Sequence, residues 1–195
     1  FTGFTFETGV KLKTALHYLN GEEVANKKIT AKVSTVTFGL NKDHKNITSK
    51  YEPTFIGIEQ EVPVYSYYVP NADDASKYDV YVLADSKIYT PKDSKGLFRE
   101  MYALTMVDTA NMDVSRTENM MSMFSDCYKL VSVNVSEWNV GNVTNMSYAF
   151  YGCNALTQVV TSLTAAQMTI AEGNDTLKNA MNGSSNPGSG TTPPV

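Results

Sequence analysis

Setting Phe98, Phe124 and Phe150 in one column brings like residues into the neighbouring columns: Leu104, Leu130 and Leu156; Val107, Val133 and Val159; Val114 and Val140; Asn119 and Asn145; Met120 and Met146. The spacing is 124 − 98 = 26 and again 150 − 124 = 26. A fixed recurrence of this length constrains the fold strongly, because one such unit cannot close a core and must bury its apolar face against its neighbours. The repeated columns are therefore the expected core: Phe98, Leu104, Val107, Met120, Phe124, Cys127, Leu130, Val133, Trp138, Met146, Phe150, Cys153 and Leu156.

Within the middle unit, Leu130, Val133, Val135, Trp138 and Val140 have the LxxLxLxxNxL spacing of a leucine-rich repeat. A short strand presents alternate residues inward, the chain turns, and a second segment carries it back across the core. The four-residue spacings Met120–Phe124 and Met146–Phe150, with Thr144 or Asn145 as cap and Gly152 as stop, predict a helix for that return. The expectation is an α/β unit, α+β overall: a short leucine-rich-repeat-like solenoid of about three to four strand-turn-helix units, each 26 residues long. Met112 and Trp138 stand where such repeats usually carry Asn or Cys, so an asparagine ladder is not available there. Six Asn-x-Ser/Thr triplets occur, including those at Asn142 and Asn145. They fit glycosylation acceptors, but recurrence at the start of the return makes capping the more economical reading.

Subtracting 26 places Tyr78 in the column of Leu104, Tyr81 in that of Val107 and Ile88 in that of Val114, a degenerate first unit. Solenoid is thus expected over residues 78–163, after a β-rich α+β module over 1–77. In that module FTGFTF reads as a strand, Leu12, Ala15, Leu16 and Leu19 share a helical face closed by Asn20-Gly21, and strands are predicted over Ile29–Leu40, Thr54–Ile58 and Val62–Val69. A change of alternation phase near Ser34 predicts a bulge. Beyond Leu163, residues 164–182 read as a helical cap and 183–195, rich in Gly, Ser, Thr and Pro, as a flexible tail.

Composition narrows the functions. With 16 basic and 20 acidic residues, a formal charge of −4 and no basic run, nucleic acid is not an expected partner. No stretch of about 18 apolar residues occurs, so membrane insertion is not expected. The start at Phe1 fits a chain from which a leader or a tag has been removed. Cys127 and Cys153 share a column with Met101, which favours buried free thiols over the alternative, a bridge between adjacent units in an oxidising compartment. His17 and His44 share no evident site, the carboxylate pair Asp73-Asp74 lacks the spaced ligands of a calcium loop, and no catalytic motif can be assembled. No catalytic residue, metal or cofactor is expected.

The string FSDCYKLVSVNVSEWNVGNVTNMSYAFYGCNAL resembles the BspA-like leucine-rich repeats of bacterial surface proteins. It resembles more closely the branch first described in mycoplasma lipoproteins as a domain of unknown function, and KIYTPKDSKGLF is similar to the segment preceding the first repeat there. The first unit departs at Arg116-Thr117-Glu118, where the pattern has Asn-Val-Thr. The resemblance implies a secreted or wall-attached bacterial protein with a binding or adhesive role, toward an extracellular protein or glycan.

If the strands stack in parallel, their outward positions form two rows: Val80, Met106, Ser132, Gln158 and Val82, Asp108, Asn134, Val160. Met106, Asp108, Ser132, Asn134 and Gln158 are the expected partner-binding residues, against the alternative that these rows are merely solvated or are covered by the N-terminal module. Alanine at Asp108 and Asn134 is expected to weaken binding without lowering the melting temperature. Tyr128, Tyr148 and Tyr151 form a second candidate surface. The other functional reading is a structural stalk or self-association unit.

Overall fold

The computed structural model describes residues 10–57, 60–156 and 158–160. The strand expected at the N-terminus, the helical cap and the tail lie outside the described residues. Helix α1 (Leu12–His17) buries Leu12, Ala15 and Leu16 and stops where Asn20 (φ 55°) and Gly21 (φ 69°) turn left-handed. Strand β1 (Val33–Leu40) begins later than the alternation predicts, because the amides of Lys32 and Val33 both close a turn onto the Ile29 carbonyl. Its register shift between Val33 and Thr35 is the bulge signalled by the phase change. The polar stretch after it folds into a 3-10 turn (Asn41–Asp43) and the short helix α2 (Lys45–Thr48). Then come β2 (Thr54–Ile56), β3 (Val64–Pro70), β4 (Tyr78–Ala84), β5 (Ile88–Tyr89), β6 (Met106–Asp108), β7 (Met112–Asp113), β8 (Ser132–Asn134) and β9 (Gln158–Val160).

Among the described residues the main sheet has seven strands in the order β2-β3-β4-β1-β6-β8-β9, and β5 pairs with β7 in a separate two-stranded sheet. The fold is mixed α+β, rich in sheet with few helices, and no helix among the described residues is long and apolar enough to cross a membrane. Successive units pair at the expected offset: Met106 with Ser132 and Ser132 with Gln158. The degenerate first unit behaves differently. Strand β1, from outside the repeat, lies between β4 and β6 and runs parallel to both. Through Thr35 and Thr37 the outer rows therefore continue to Asp79 and Tyr81, one residue away from the expected Val80 and Val82, which are fully buried. A one-residue change of register exchanges the two faces of a strand. Ile88 likewise stands opposite Met112, an offset of 112 − 88 = 24, and the 26-residue offset starts only at the Asp93–Asn119 bridge.

The return segments are not helices. Met120, Ser122, Phe124 and Asp126 donate their amides to the carbonyls of Asn145, Ser147, Ala149 and Tyr151 in the next unit, while Met123, Ser125 and Cys127 donate three residues back within their own. Ser94, Gly96, Phe98 and Glu100 repeat the outward pattern one unit earlier. Half of the amides are thus committed to the neighbour, which a helix forbids. The backbone achieves this with left-handed residues in two columns: Gly96 (φ 61°), Ser122 (φ 55°), Tyr148 (φ 58°) and Glu100 (φ 63°), Asp126 (φ 63°), Gly152 (φ 73°). These columns lie four residues apart, so the turn mimics helical spacing in the sequence.

The core follows the same columns, and every residue in the repeated set named above is buried. Phe98, Phe124 and Phe150 stack with centroids 4.7 and 5.2 Å apart and planes within 4° and 2°, and Phe38 of β1 caps the stack edge-on at 6.2 Å. Helix α1 seals the same end: the His17 ring, through Nε2, hydrogen-bonds the Leu97 carbonyl at 3.0 Å, and Lys13 Nζ reaches the Lys95 carbonyl at 3.1 Å. On the outer side of β3 and β4 a second cluster of Ile47, Tyr67 and Leu83 is packed by Tyr51, Tyr65, Val69 and Tyr81. His44 lies on Tyr81 with centroids 5.5 Å apart, and so close to β1 that a Cβ on Gly39 would meet its ring.

Candidate functional site

Every unit turns its corners with Asp or Asn side chains that accept the amide two residues on, the Asx-turn habit of these residues. Three columns do this. Asp93, Asn119 and Asn145 accept from Lys95, Met121 and Ser147; Asp108 and Asn134 accept from Ala110 and Ser136; Asp113 and Asn139 accept from Ser115 and Gly141. Asn119 also donates from Nδ2 to Asp93 at 3.1 Å, linking neighbouring corners. The expected capping role of Asn145 is met by this turn, not by a helix start. Near Met112 and Trp138, where no asparagine ladder is available, the Thr109 hydroxyl donates to the Asn134 carbonyl at 2.6 Å, and Asn111 Nδ2 donates to the carbonyls of Gly39 and Ser86.

Met106, Asp108, Ser132 and Asn134 are exposed on the outer face of β6 and β8, and the backbone of Gln158 continues the row in β9. Asp108 and Asn134 have a second duty that the sequence reading missed: each closes its own turn. Alanine at either position would forfeit that bond, so a lowered melting temperature is now the expected outcome in place of an unchanged one. The shared period carried the signal, since both positions hold Asx side chains two residues before a corner.

A shallow cleft of about 300 Å³ opens at the C-terminal ends of these strands, lined by Val107, Asp108, Thr109, Ala110, Asn134, Ser136 and Glu137. Asp108 and Glu137 are exposed, and neither has a cation at ion-pair distance among the described residues. At the opposite end of the strands, Tyr102 and Tyr128, in one column, stack with centroids 5.3 Å apart and planes at 15°. Their hydroxyl pKa values are raised, first by partial burial and then by the carboxylates of Glu100 and Asp126. The ring partner of Tyr128 is thus Tyr102, while Tyr148 meets Tyr151 edge-on at 5.9 Å, both half-buried. Between the two ends lie Met106 and Val131, 48% and 50% exposed. Tyr102, Val131 and Glu137 were absent from the expected partner-binding set because it was drawn from outward strand positions, and these three lie before or after β6 and β8.

The cysteines are free. Cys127 Sγ donates to the Phe98 carbonyl and Cys153 Sγ to the Phe124 carbonyl, each at 3.0 Å, so each thiol joins its unit to the one before. Burial pushes the Cys153 thiol up to about 12 and Cys127 well above its ordinary value, which keeps both protonated and unreactive. At the sealed end, burial lowers the His17 pKa to about 4 against the opposing effect of its Leu97 hydrogen bond. The ring is a neutral structural donor to that carbonyl at neutral pH. Asp74, half of the Asp73-Asp74 pair, is held at about 2 by the Ser76 hydroxyl and the Lys77 ammonium. Among the described residues no three His, Cys, Asp or Glu side chains gather as a metal site would require.

These features define a class: a mixed α+β protein in which 26-residue units pair in register through β6, β8 and β9, with the outer sheet face open at β6 and β8. The chain belongs to the family described as Mycoplasma protein of unknown function, DUF285, whose sequence profile matches residues 88–186. No curated protein and no solved structure matches the chain.

Proposed function

We propose that the units from residue 88 onward form a short solenoid of the leucine-rich, BspA-like type and that the chain is a secreted or cell-surface binding module. Its partner is an extracellular protein or glycan, held on the outer strand face without chemistry being done to it. The observation that carries this reading is the division of the sheet. The outer face of β3 and β4 is covered by aromatic side chains and α2, whereas the same face at β6 and β8 exposes Met106, Asp108, Ser132 and Asn134. An uncovered strip with large apolar residues on a repeat surface is a common place for partners to dock.

The test is binding of the full chain to arrayed extracellular matrix proteins and glycans, with competition by a variant altered only on this strip. Retained binding after Met106→Ser and Tyr128→Asn together removes the strip from the reading. The second reading, a stalk or self-association unit, draws on the same strip, since a second copy could cover it. Sedimentation over a range of concentrations separates the two: a strict monomer that binds a partner supports the module, and a concentration-dependent dimer supports the stalk.

A further inference from the structure

Among the described residues, the exposed large hydrophobic side chains are Val24, Tyr102, Met106, Tyr128 and Val131. All but Val24 belong to one strip across two adjacent units: Tyr102 stacks on Tyr128, the Val131 amide donates to the Thr105 carbonyl, and Met106 pairs with Ser132. The strip leads along the strands into the cleft that holds Asp108 and Glu137. One end is therefore apolar and aromatic and the other acidic, with no cation of the described chain neutralising the acids.

Building on the reading of the chain as a binding module, we propose that this strip docks an extended polypeptide that places a lysine or arginine in the Asp108–Glu137 cleft and apolar side chains against Met106, Val131 and the Tyr102–Tyr128 stack. Charge complementarity selects the occupant. A neutral glycan could use the tyrosines and donate hydroxyls to the carboxylates but would leave their charge, which no cation among the described residues offsets, uncompensated, whereas a cationic side chain compensates it and keeps its aliphatic stem on apolar surface. The carboxylate of Asp108 spends one oxygen on the Ala110 amide, which fixes its direction and leaves the other free for a ligand.

The units themselves supply substitutions that preserve the fold. Asp108→Asn copies Asn134 and keeps the turn; Met106→Ser copies Ser132, Val131→Thr copies Thr105, and Tyr128→Asn copies Asn154. The probes are a labelled ten-residue peptide of alternating leucine and lysine, the same peptide with glutamate for lysine, and a glucose hexasaccharide. They are titrated into the full chain at low salt by anisotropy. The only tryptophan, Trp138, is buried against Phe124, and its emission checks that each variant keeps the packed core.

The lysine peptide is expected to bind and the glutamate peptide not to bind. Asp108→Asn with Glu137→Gln should weaken binding by about tenfold, as loss of charged partners does. Met106→Ser with Val131→Thr and Tyr128→Asn should weaken it comparably, and Asp73→Asn, in a distant loop, should leave it unchanged. Equal binding of the two peptides, no binding of the lysine peptide, or equal sensitivity to Asp73→Asn overturns the proposal. Capture of the hexasaccharide in its place, lost in the tyrosine variant, also overturns it but leaves the binding module standing. Self-association abolished by the strip substitutions, with no probe bound, overturns both.

Discussion

The two parts of the seven-stranded sheet meet at β1 and are stabilised by different means. On one side, β3 and β4 are seven residues long with apolar cover on both faces, and β1 is eight. On the other, β6, β8 and β9 have three residues each and β6 and β8 are open outside. Such short strands have little ladder of their own. They are held by what recurs around them: Asx corners, stacked phenylalanines, thiol-to-carbonyl bonds and returns that give alternate amides to the next unit. Because stability is delivered from the corners and the inner face, the outer positions that close no corner, Met106 and Ser132, are free to vary, whereas Asp108 and Asn134 are not. The long strands have no such freedom.

The strongest way to break this comparison is to remove the ring at the centre of the stack. Phe124→Ala, between Phe98 and Phe150, should cost about 3–5 kcal/mol in urea unfolding. A cost near that of a surface change would mean that the stack does not hold the units together. The junction between the two parts is sharpened by acid. His17 is neutral when folded, with a pKa near 4 against 6.5 unfolded, so the unfolded chain takes up the proton more readily. Its contribution is intact above pH 6.5 and is lost as pH falls toward 4, at most roughly 3 kcal/mol for the shift. His17→Gln, which retains a donor for Leu97, should flatten that part of the stability profile.

Smaller effects separate corner from face. Gly152→Ala forces a side chain onto a left-handed backbone and places its Cβ 2.6 Å from an Asp126 carboxylate oxygen. It should cost about 1–3 kcal/mol by thermal unfolding. Asp108→Ala loses one turn hydrogen bond and should cost about 0.5–1.5 kcal/mol, whereas Asp108→Asn should leave stability close to the parent. Equal destabilisation by both would show that charge, not the turn, holds that corner.

Much of this was legible in the sequence where residue type and period coincide. Phe98, Phe124 and Phe150 named the stack, and the phase change near Ser34 named the bulge. The helix expected around Met146 and Phe150 was misread because two left-handed columns four residues apart reproduce helical spacing, and side-chain identity at Ser122 or Tyr148 does not announce a positive φ. The outer rows were legible through Met106, Asp108, Ser132 and Asn134. They failed at Val80 and Val82 because subtraction of 26 assumes that β4 lies beside β6.

The sequence by itself determined that this chain stacks like units, which residues they bury and where they turn, because those properties depend on local chemistry repeated at a fixed interval. Only the tertiary structure decided what begins the stack. Strand β1 and helix α1 come from a stretch with no repeat, and they close the first unit because parallel pairing with β4 and β6 and the His17–Leu97 bond satisfy groups that the units leave unpaired at that end. Such long-range pairing has no period to betray it, and it sets which face of each neighbouring strand meets solvent.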